Sequence, residues 1–266
     1  MGINFFIKLV MIIKVILEID NWHIPLLHYF DMRDNEDVVR FRNGTKCIVR
    51  NKSDATAFFE IFFLKTNTTL KNFAIRKNDI IIDIGAHVGF FTIYAARQAP
   101  KGKIYAFEPY SKSFNFLRKN IEMNKLGNVI TENCAVLKNS GTATLFIDRD
   151  FAISNTLFGD ETHLEKETVT TISMQDIFDK YQIRQVDLLK LDCEGAEFEI
   201  ILNLSKNILG KIVKISAEIH QNTAGHHLDD LSAFLKINNF NVEYRNILSG
   251  IVTSMPMLYA TNKAFE

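Results

Sequence analysis

Two short segments of the chain end on ionisable residues spaced two apart, Lys190-Leu191-Asp192 and Glu218-Ile219-His220. Residues two apart on a strand share a face, so Lys190 points with Asp192, and Glu218 with His220. Adjacent strands run about 4.8 Å apart, which brings Asp192 within reach of His220 if the two segments are neighbours. A histidine beside a carboxylate is suited to taking a proton near neutral pH. The chemistry expected is removal of a hydroxyl proton as that hydroxyl attacks an electrophile. In this reading His220 is the base, Asp192 orients the imidazole or holds the hydroxyl, Lys190 balances the local negative charge, and Glu218 is an alternative proton acceptor. Positioning the two reactants supplies up to about 7–11 kcal/mol on its own, so the base need not dominate. A metal held by Asp192, Glu194 and His220 has no ligand-spacing motif behind it, and none is assigned. Glu197 and Glu199 are read as acids favouring a helix N-terminus, and His226-His227 as a solvated helix start.

The partner of such a site is read from Asp83-Ile84-Gly85-Ala86-His87-Val88-Gly89, which joins an apolar run at 79–82 to a helical segment from Phe90. A glycine turn at a helix N-terminus admits a nucleotide-like ligand to the backbone. His87 stands where the dinucleotide fingerprint G-x-G-x-x-G needs its middle glycine to meet a pyrophosphate. The loop therefore favours a cofactor without a diphosphate, S-adenosylmethionine, over NAD. About twenty residues further on, Lys103-Ile104-Tyr105-Ala106-Phe107-Glu108 reads as a second strand ending in the carboxylate expected to accept both ribose hydroxyls.

These residues need a frame. Strands are expected at 79–84, 103–108 and 128–133, with helices at 90–99 and 111–124; further strands are expected at 143–147, 186–192, 212–219 and 257–260, and helices at 173–183, 196–204 and 228–238. Repeated βα units predict an α/β fold, a Rossmann-like, doubly wound, mostly parallel sheet. Residues 148–167 read as a polar loop suited to substrate contacts. Ahead of the core, residues 45–50 form a hairpin-like strand, and 55–64 a helix capped by Ser53 or Asp54. The expected organisation is an N-terminal helical and β-hairpin extension over residues 1–75 and a cofactor-binding domain over 76–266.

At 266 residues, 47% apolar and 23% charged, the chain is long enough for one such domain with an extension. A formal charge of zero without any Lys/Arg block gives no nucleic-acid footprint. Cys47, Cys134 and Cys193 are odd in number and lack C-x-x-C spacing, which reads as reduced thiols in a cytoplasmic compartment. Residues 3–19 form an amphipathic helix whose Lys8 and Lys14 argue against a membrane span. That helix either packs on its own domain or on a second copy, or lies on a membrane surface.

Taken in order, these segments resemble the FkbM family of S-adenosylmethionine-dependent methyltransferases over residues 40 to 260. The resemblance rests on Val39-Arg40-Phe41-Arg42-Asn43-Gly44, Asp83-Ile84-Gly85-Ala86-His87-Val88-Gly89 and Phe107-Glu108-Pro109. It continues through Asn133-Cys134-Ala135-Val136, Thr171-Ile172-Ser173-Met174-Gln175-Asp176, Lys190-Leu191-Asp192-Cys193-Glu194-Gly195-Ala196-Glu197 and Glu218-Ile219-His220. It implies a class I methyltransferase fold. It also implies a cofactor site of Asp83, Gly85, Ala86, His87, Gly89, Glu108, Pro109, Asn133, Cys134 and Asp192, with Gly85 and Gly89 at the methionine end, Glu108 at the ribose and Asn133-Cys134 beside the adenine. His87 departs from the Asn frequent in the family. The acceptors implied are small molecules or glycans, with a sugar hydroxyl leading. The alternatives are a non-catalytic nucleotide-binding module, which needs no Asp192/His220 pair, and an NAD-dependent oxidoreductase, which needs the missing glycine.

Overall fold

The computed structural model describes residues 2–147, 165–220, 227–246 and 256–266. Most of the polar loop expected at 148–167, and His226, lie outside the described residues. The chain opens with helices α1 (Gly2–Glu18) and α2 (His23–Tyr29), a hairpin of β1 (Asp37–Arg40) with β2 (Lys46–Val49), and helix α3 (Lys52–Phe59). Asn51, not Ser53 or Asp54, caps α3 by accepting the Asp54 N–H, because it is the last residue in extended conformation. The helix then widens into a π-helical turn at Glu60–Leu64.

The core alternates as expected: β3 (Ile80–Ile84), α4 (Phe90–Gln98), β4 (Lys103–Phe107), α5 (Ser111–Met123) and β5 (Val129–Glu132). Three strands that follow, β6 (Ala135–Leu137), β7 (Gly141–Ile147) and β8 (Glu165–Ser173), pair among themselves as a small separate sheet. Its β8 occupies the end of the segment read as a polar loop, since the charged residues of Glu165-Lys166-Glu167 mask an alternation that buries Val169 and Thr171. The chain continues through α6 (Met174–Lys180), capped by Ser173, then β9 (Leu188–Leu191), α7 (Glu197–Leu202), α8 (Lys206–Leu209), β10 (Lys214–Glu218), α9 (Leu228–Ile237), β11 (Phe240–Asn246) and β12 (Pro256–Asn262).

Seven strands make the central sheet in the order β11-β12-β10-β9-β3-β4-β5, with β10, β9, β3, β4 and β5 parallel and β12 antiparallel to both its neighbours. Chain order runs outward from β3 in one direction and resumes at β9 in the other. The switch point, where ligands bind in open α/β sheets, therefore lies at the carboxyl ends of β3 and β9. Side chains alternate across β3: Ile82 and Ile84 pack with Phe178, Phe198 and Leu235, while Ile81 packs with Phe91, Ala95 and Tyr259 on the opposite face. Helices thus cover both faces of a buried sheet, as its near-continuous apolar strands require.

The N-terminal extension is welded to this core. Met11 and Val15 on one stripe of α1, with Ile19 just past its end, join Phe41, Phe58 and Phe59 in a cluster that includes Val88, Phe90 and Ile93 of the loop and helix after β3. The helix packs on its own domain, with Ile13 and Leu17 left on the exposed side. No helix among the described residues is long and apolar enough to cross a membrane. Phe58 is fully buried and its ring lies 5.1 to 6.1 Å from those of Phe41, Phe59, Phe62, Phe63 and Phe90. Phe58→Ala is expected to cost about 3–5 kcal/mol in denaturant unfolding, within a single transition. A second transition that stays at the wild-type midpoint would mean that the extension folds separately.

Candidate functional site

The turn after β3 is shaped by backbone geometry. Gly85 (φ +74) donates its N–H to the Phe107 carbonyl at 3.0 Å, and a Cβ placed on it would lie 1.7 Å from the Asp192 carbonyl oxygen. Its glycine requirement thus comes first from the approach of β3 to β9. Two residues on, His87 adopts φ +51, a left-handed conformation in which histidine, like asparagine, is over-represented. A Cβ at Gly89 (φ +90) would come within 2.5 Å of the Leu117 side chain.

Glu108 follows β4 and is 7% exposed. One carboxylate oxygen accepts the His87 N–H at 2.8 Å and the other the Tyr110 N–H at 2.9 Å. Burial pushes its pKa up to about 7, against the pull of those two hydrogen bonds. Each oxygen keeps a lone pair, and the residue lines the main cavity. Asn133 stands behind it, donating its side-chain N–H to the carbonyls of Glu108 and Pro109 at 2.8 and 2.9 Å.

Lys190 is 2% exposed at the centre of β9, with Nζ 3.1 Å from Asp83 Oδ1, 2.9 Å from the Gly85 carbonyl and 3.5 Å from Asp192 Oδ2. Burial alone would depress its pKa, but the charges of Asp83 and Asp192 more than reverse that, so it stays an ammonium. Asp83 also accepts from Thr92 Oγ1 at 2.6 Å and is fully buried. It braces the turn from behind and is not on the cavity wall.

At the other end of the cavity, His220 follows β10. Its Nδ1 lies 3.0 Å from Glu197 Oε1, and its Nε2 is 3.6 Å from Glu194 and 3.9 Å from Glu218. Glu197, in the first turn of α7 and fully buried, also accepts the N–H groups of Cys193 and Gly195 at 2.9 and 3.0 Å. Glu197, not Asp192, is therefore the group that orients the imidazole. Burial works against the charged ring, yet the Glu197 hydrogen bond and charge raise the pKa to about 10, so the ring is protonated at neutral pH. Burial likewise lifts Glu218 to about 8 and Glu194 to about 7. Asp192, Glu218 and His220 each offer a donor atom, and these atoms lie within 4.8 Å of one another.

One cavity joins the two ends. Gly85, Ala86, His87, Glu108, Pro109, Cys134, Lys190, Asp192, Glu218 and His220 all line it; Asp83, Gly89 and Asn133 stand behind its wall. Sequence reasoning missed Glu197 as the histidine's partner and Glu60 as a wall residue, lifted to about 7 by burial and by Asp192. Glu60 carried a signal, since it is a lone carboxylate inside the apolar run Phe58-Phe59-Glu60-Ile61-Phe62-Phe63, whereas Glu197, with Glu194 and Glu199 close by in sequence, carried none.

With this geometry in view, residues 83–242 match the family described as Methyltransferase FkbM domain. The chain is 22% identical over 241 residues to the 31-O-demethyl-FK506 methyltransferase FkbM of Streptomyces tacrolimicus, covering 79% of this chain and 91% of that one. It is 25% identical over 148 residues to the hexuronic acid methyltransferase AglP of Haloferax volcanii, covering 54% and 57% respectively. The crystal structure of a methyltransferase FkbM from Methylobacillus flagellatus shares the fold, with a TM-score of 0.51 at 14% identity over 76% of this chain and 47% of that one. The chain spans about six-tenths of the length of several curated relatives that it matches.

The strand contact at Gly85 can be separated from its backbone conformation. Gly44 has a similar φ of +85, and a Cβ there meets nothing within 4 Å. Gly44→Ala is expected to lose about 1–2 kcal/mol for the left-handed conformation. Gly85→Ala should lose clearly more, or fail to fold, in the same denaturation assay. Equal losses would show that the ends of β3 and β9 are free to move apart.

Proposed function

The chain belongs to the FkbM methyltransferase family, whose match covers more than half of its length, and from that premise we propose that it moves the methyl group of S-adenosylmethionine onto a hydroxyl of a small molecule or glycan, a sugar hydroxyl foremost. The observation that carries this reading is the single cavity with a buried carboxylate clamp, Glu108, at one end and the Asp192, Glu218 and His220 set at the other. Membership of the family sets the oxidoreductase alternative aside. The O-directed reading draws support from a relative named for a 31-O-demethyl substrate, and the sugar from one named for a hexuronic acid.

The residues present fit the cofactor. Both Glu108 oxygens have a lone pair left for the two ribose hydroxyls, and Cys134, Ala135, Val136 and Leu145 offer an apolar wall beside it for the adenine. Bound there, S-adenosylmethionine supplies an electrophilic methyl on a sulfonium. The chain's own work is then to hold the acceptor and handle its proton. Lys190 fixes Asp192 and the turn after β3 in one arrangement, and Glu197 holds His220 toward the cavity. Because the ring already carries a proton, the hydroxyl's proton passes to a carboxylate, with Asp192, whose side chain is 33% exposed, best placed on the wall. The imidazolium stabilises the negative charge that develops on the acceptor oxygen.

Incubation with S-adenosylmethionine and a panel of sugars, hexuronic acids included, is expected to add the mass of one methylene to a hydroxylated acceptor. Methylation of amines or carbon acids alone would overturn the O-directed reading. Glu108→Ala should weaken cofactor binding about ten- to hundredfold, the value of a charge-assisted hydrogen bond, with little change in melting temperature. Ribose hydroxyls donate to the ionised carboxylate, so calorimetric affinity for S-adenosylmethionine should rise with pH through about 7, and the rise should vanish in Glu108→Gln. His220→Ala is expected to reduce turnover about 10²–10³-fold and leave cofactor affinity in place; a loss of affinity without loss of turnover would put His220 at the cofactor.

A further inference from the structure

The acceptor end of the cavity concentrates carboxyl groups beside few cations. Glu60, Asp192, Glu194 and Glu218 line it. Among the described residues the cations at this end are His220 and Lys190, and Lys190 is committed to Asp83 as well as Asp192. Glu197 adds a further carboxylate behind the ring.

The donor atoms are also arranged. Asp192, at the end of β9, and Glu218 and His220, at the end of β10, come from neighbouring parallel strands, and their donor atoms all lie within 4.8 Å of one another. The imidazole is held as metal-ligating histidines are held: Nδ1 is bonded to a buried carboxylate, Glu197, which two backbone N–H groups fix in turn, and Nε2 faces the carboxylates. One imidazole and two carboxylates suit a divalent cation of the Mn²⁺ or Mg²⁺ type, with zinc as a softer competitor. All three residues line the cavity, which leaves coordination positions for an acceptor.

We propose that Asp192, Glu218 and His220 form a divalent-cation site that takes the acceptor through a pair of adjacent oxygens, two hydroxyls or a hydroxyl and a carboxylate. This rests on the reading of the cavity as the methyl-transfer site. The bound cation replaces the ring's Nε2 proton and takes over the polarisation of the acceptor oxygen that the imidazolium otherwise provides. Sugars and hexuronic acids present such oxygen pairs, whereas an isolated hydroxyl gains less from the site.

The test uses the full chain after removal of metals by a chelator, titrated with Mn²⁺ alone and followed by the electron paramagnetic resonance of free Mn²⁺. One site per chain is expected. Glu218→Gln should weaken it at least tenfold, and Glu197→Gln, which alters only the group behind the histidine, about 10- to 100-fold. Glu243→Gln, an exposed position on the edge strand β11, should bind Mn²⁺ as the wild type does. S-adenosylmethionine affinity, measured on the same proteins, should be retained in all of them and certifies that each is folded. No Mn²⁺ binding by a wild-type chain that binds S-adenosylmethionine, or equal binding by wild type and Glu218→Gln, would overturn the cation site and leave the methyltransferase reading standing. Failure of the wild type to bind S-adenosylmethionine would instead remove the reading on which the proposal rests.

Discussion

A buried ammonium ties this molecule together. Lys190 sits in the middle of the sheet, and its Nζ touches Asp83 on β3, the carbonyl of Gly85 in the following turn and Asp192 at the end of its own strand. Each is a group that the fold has taken out of water or placed on the cavity wall. Removing one partner of such a buried pair leaves an uncompensated charge, a loss of about 3–5 kcal/mol. The contact also sets geometry, because it holds the turn after β3 against the end of β9 at the distance that only a glycine at position 85 tolerates. The switch point of the sheet is thereby a fixed crevice, not merely a gap between two strands.

Around that crevice the sheet divides the chemistry. On the β4 side, Glu108 is held by two backbone N–H groups, one of them from the turn that Lys190 braces. On the β10 side, Glu197 gathers two backbone N–H groups and the His220 ring. Both carboxylates are fixed by backbone donors, which side-chain motion cannot withdraw. The same low dielectric that strengthens these bonds also raises the pKa of Glu108, and of the acidic residues Glu60, Glu194 and Glu218 at the His220 end. Acids are thus gathered at one end of the cavity, beside Asp192 and His220.

The N-terminal extension belongs to this arrangement. Its aromatic cluster packs on Val88 and Phe90, in and directly after the turn that follows β3. Its π-helical turn carries Glu60 to the cavity wall, where Thr66 and Asn67 of the same extension also lie. A π-helical turn inserts an extra residue into a helical ladder and is frequent at functional sites. Here it marks the place where a helix packed by phenylalanines turns one acid toward the cavity.

Local sequence determined a good deal of this. The run Ile80-Ile81-Ile82-Asp83-Ile84 and its glycine turn, the acid after Phe107 and the repeated βα pattern each depend on neighbours in the chain, so the parallel sheet, its crevice and the place of Glu108 on the cavity wall were legible from spacing. So was the placement of Asp192 and His220 on adjacent strand ends. Tertiary structure decided what spacing cannot encode. Glu197 is 23 residues from His220 in sequence and meets it only because β9 and β10 are neighbours; Asp192, at the end of β9, was as good a candidate until side-chain directions were known. Asp83 points behind the turn, Glu60 arrives from another part of the chain, and the protonation of His220 follows from how many carboxylates surround it. Backbone pattern is a property of a few consecutive residues, whereas burial, hydrogen-bond partnership and charge state are properties of the packed whole.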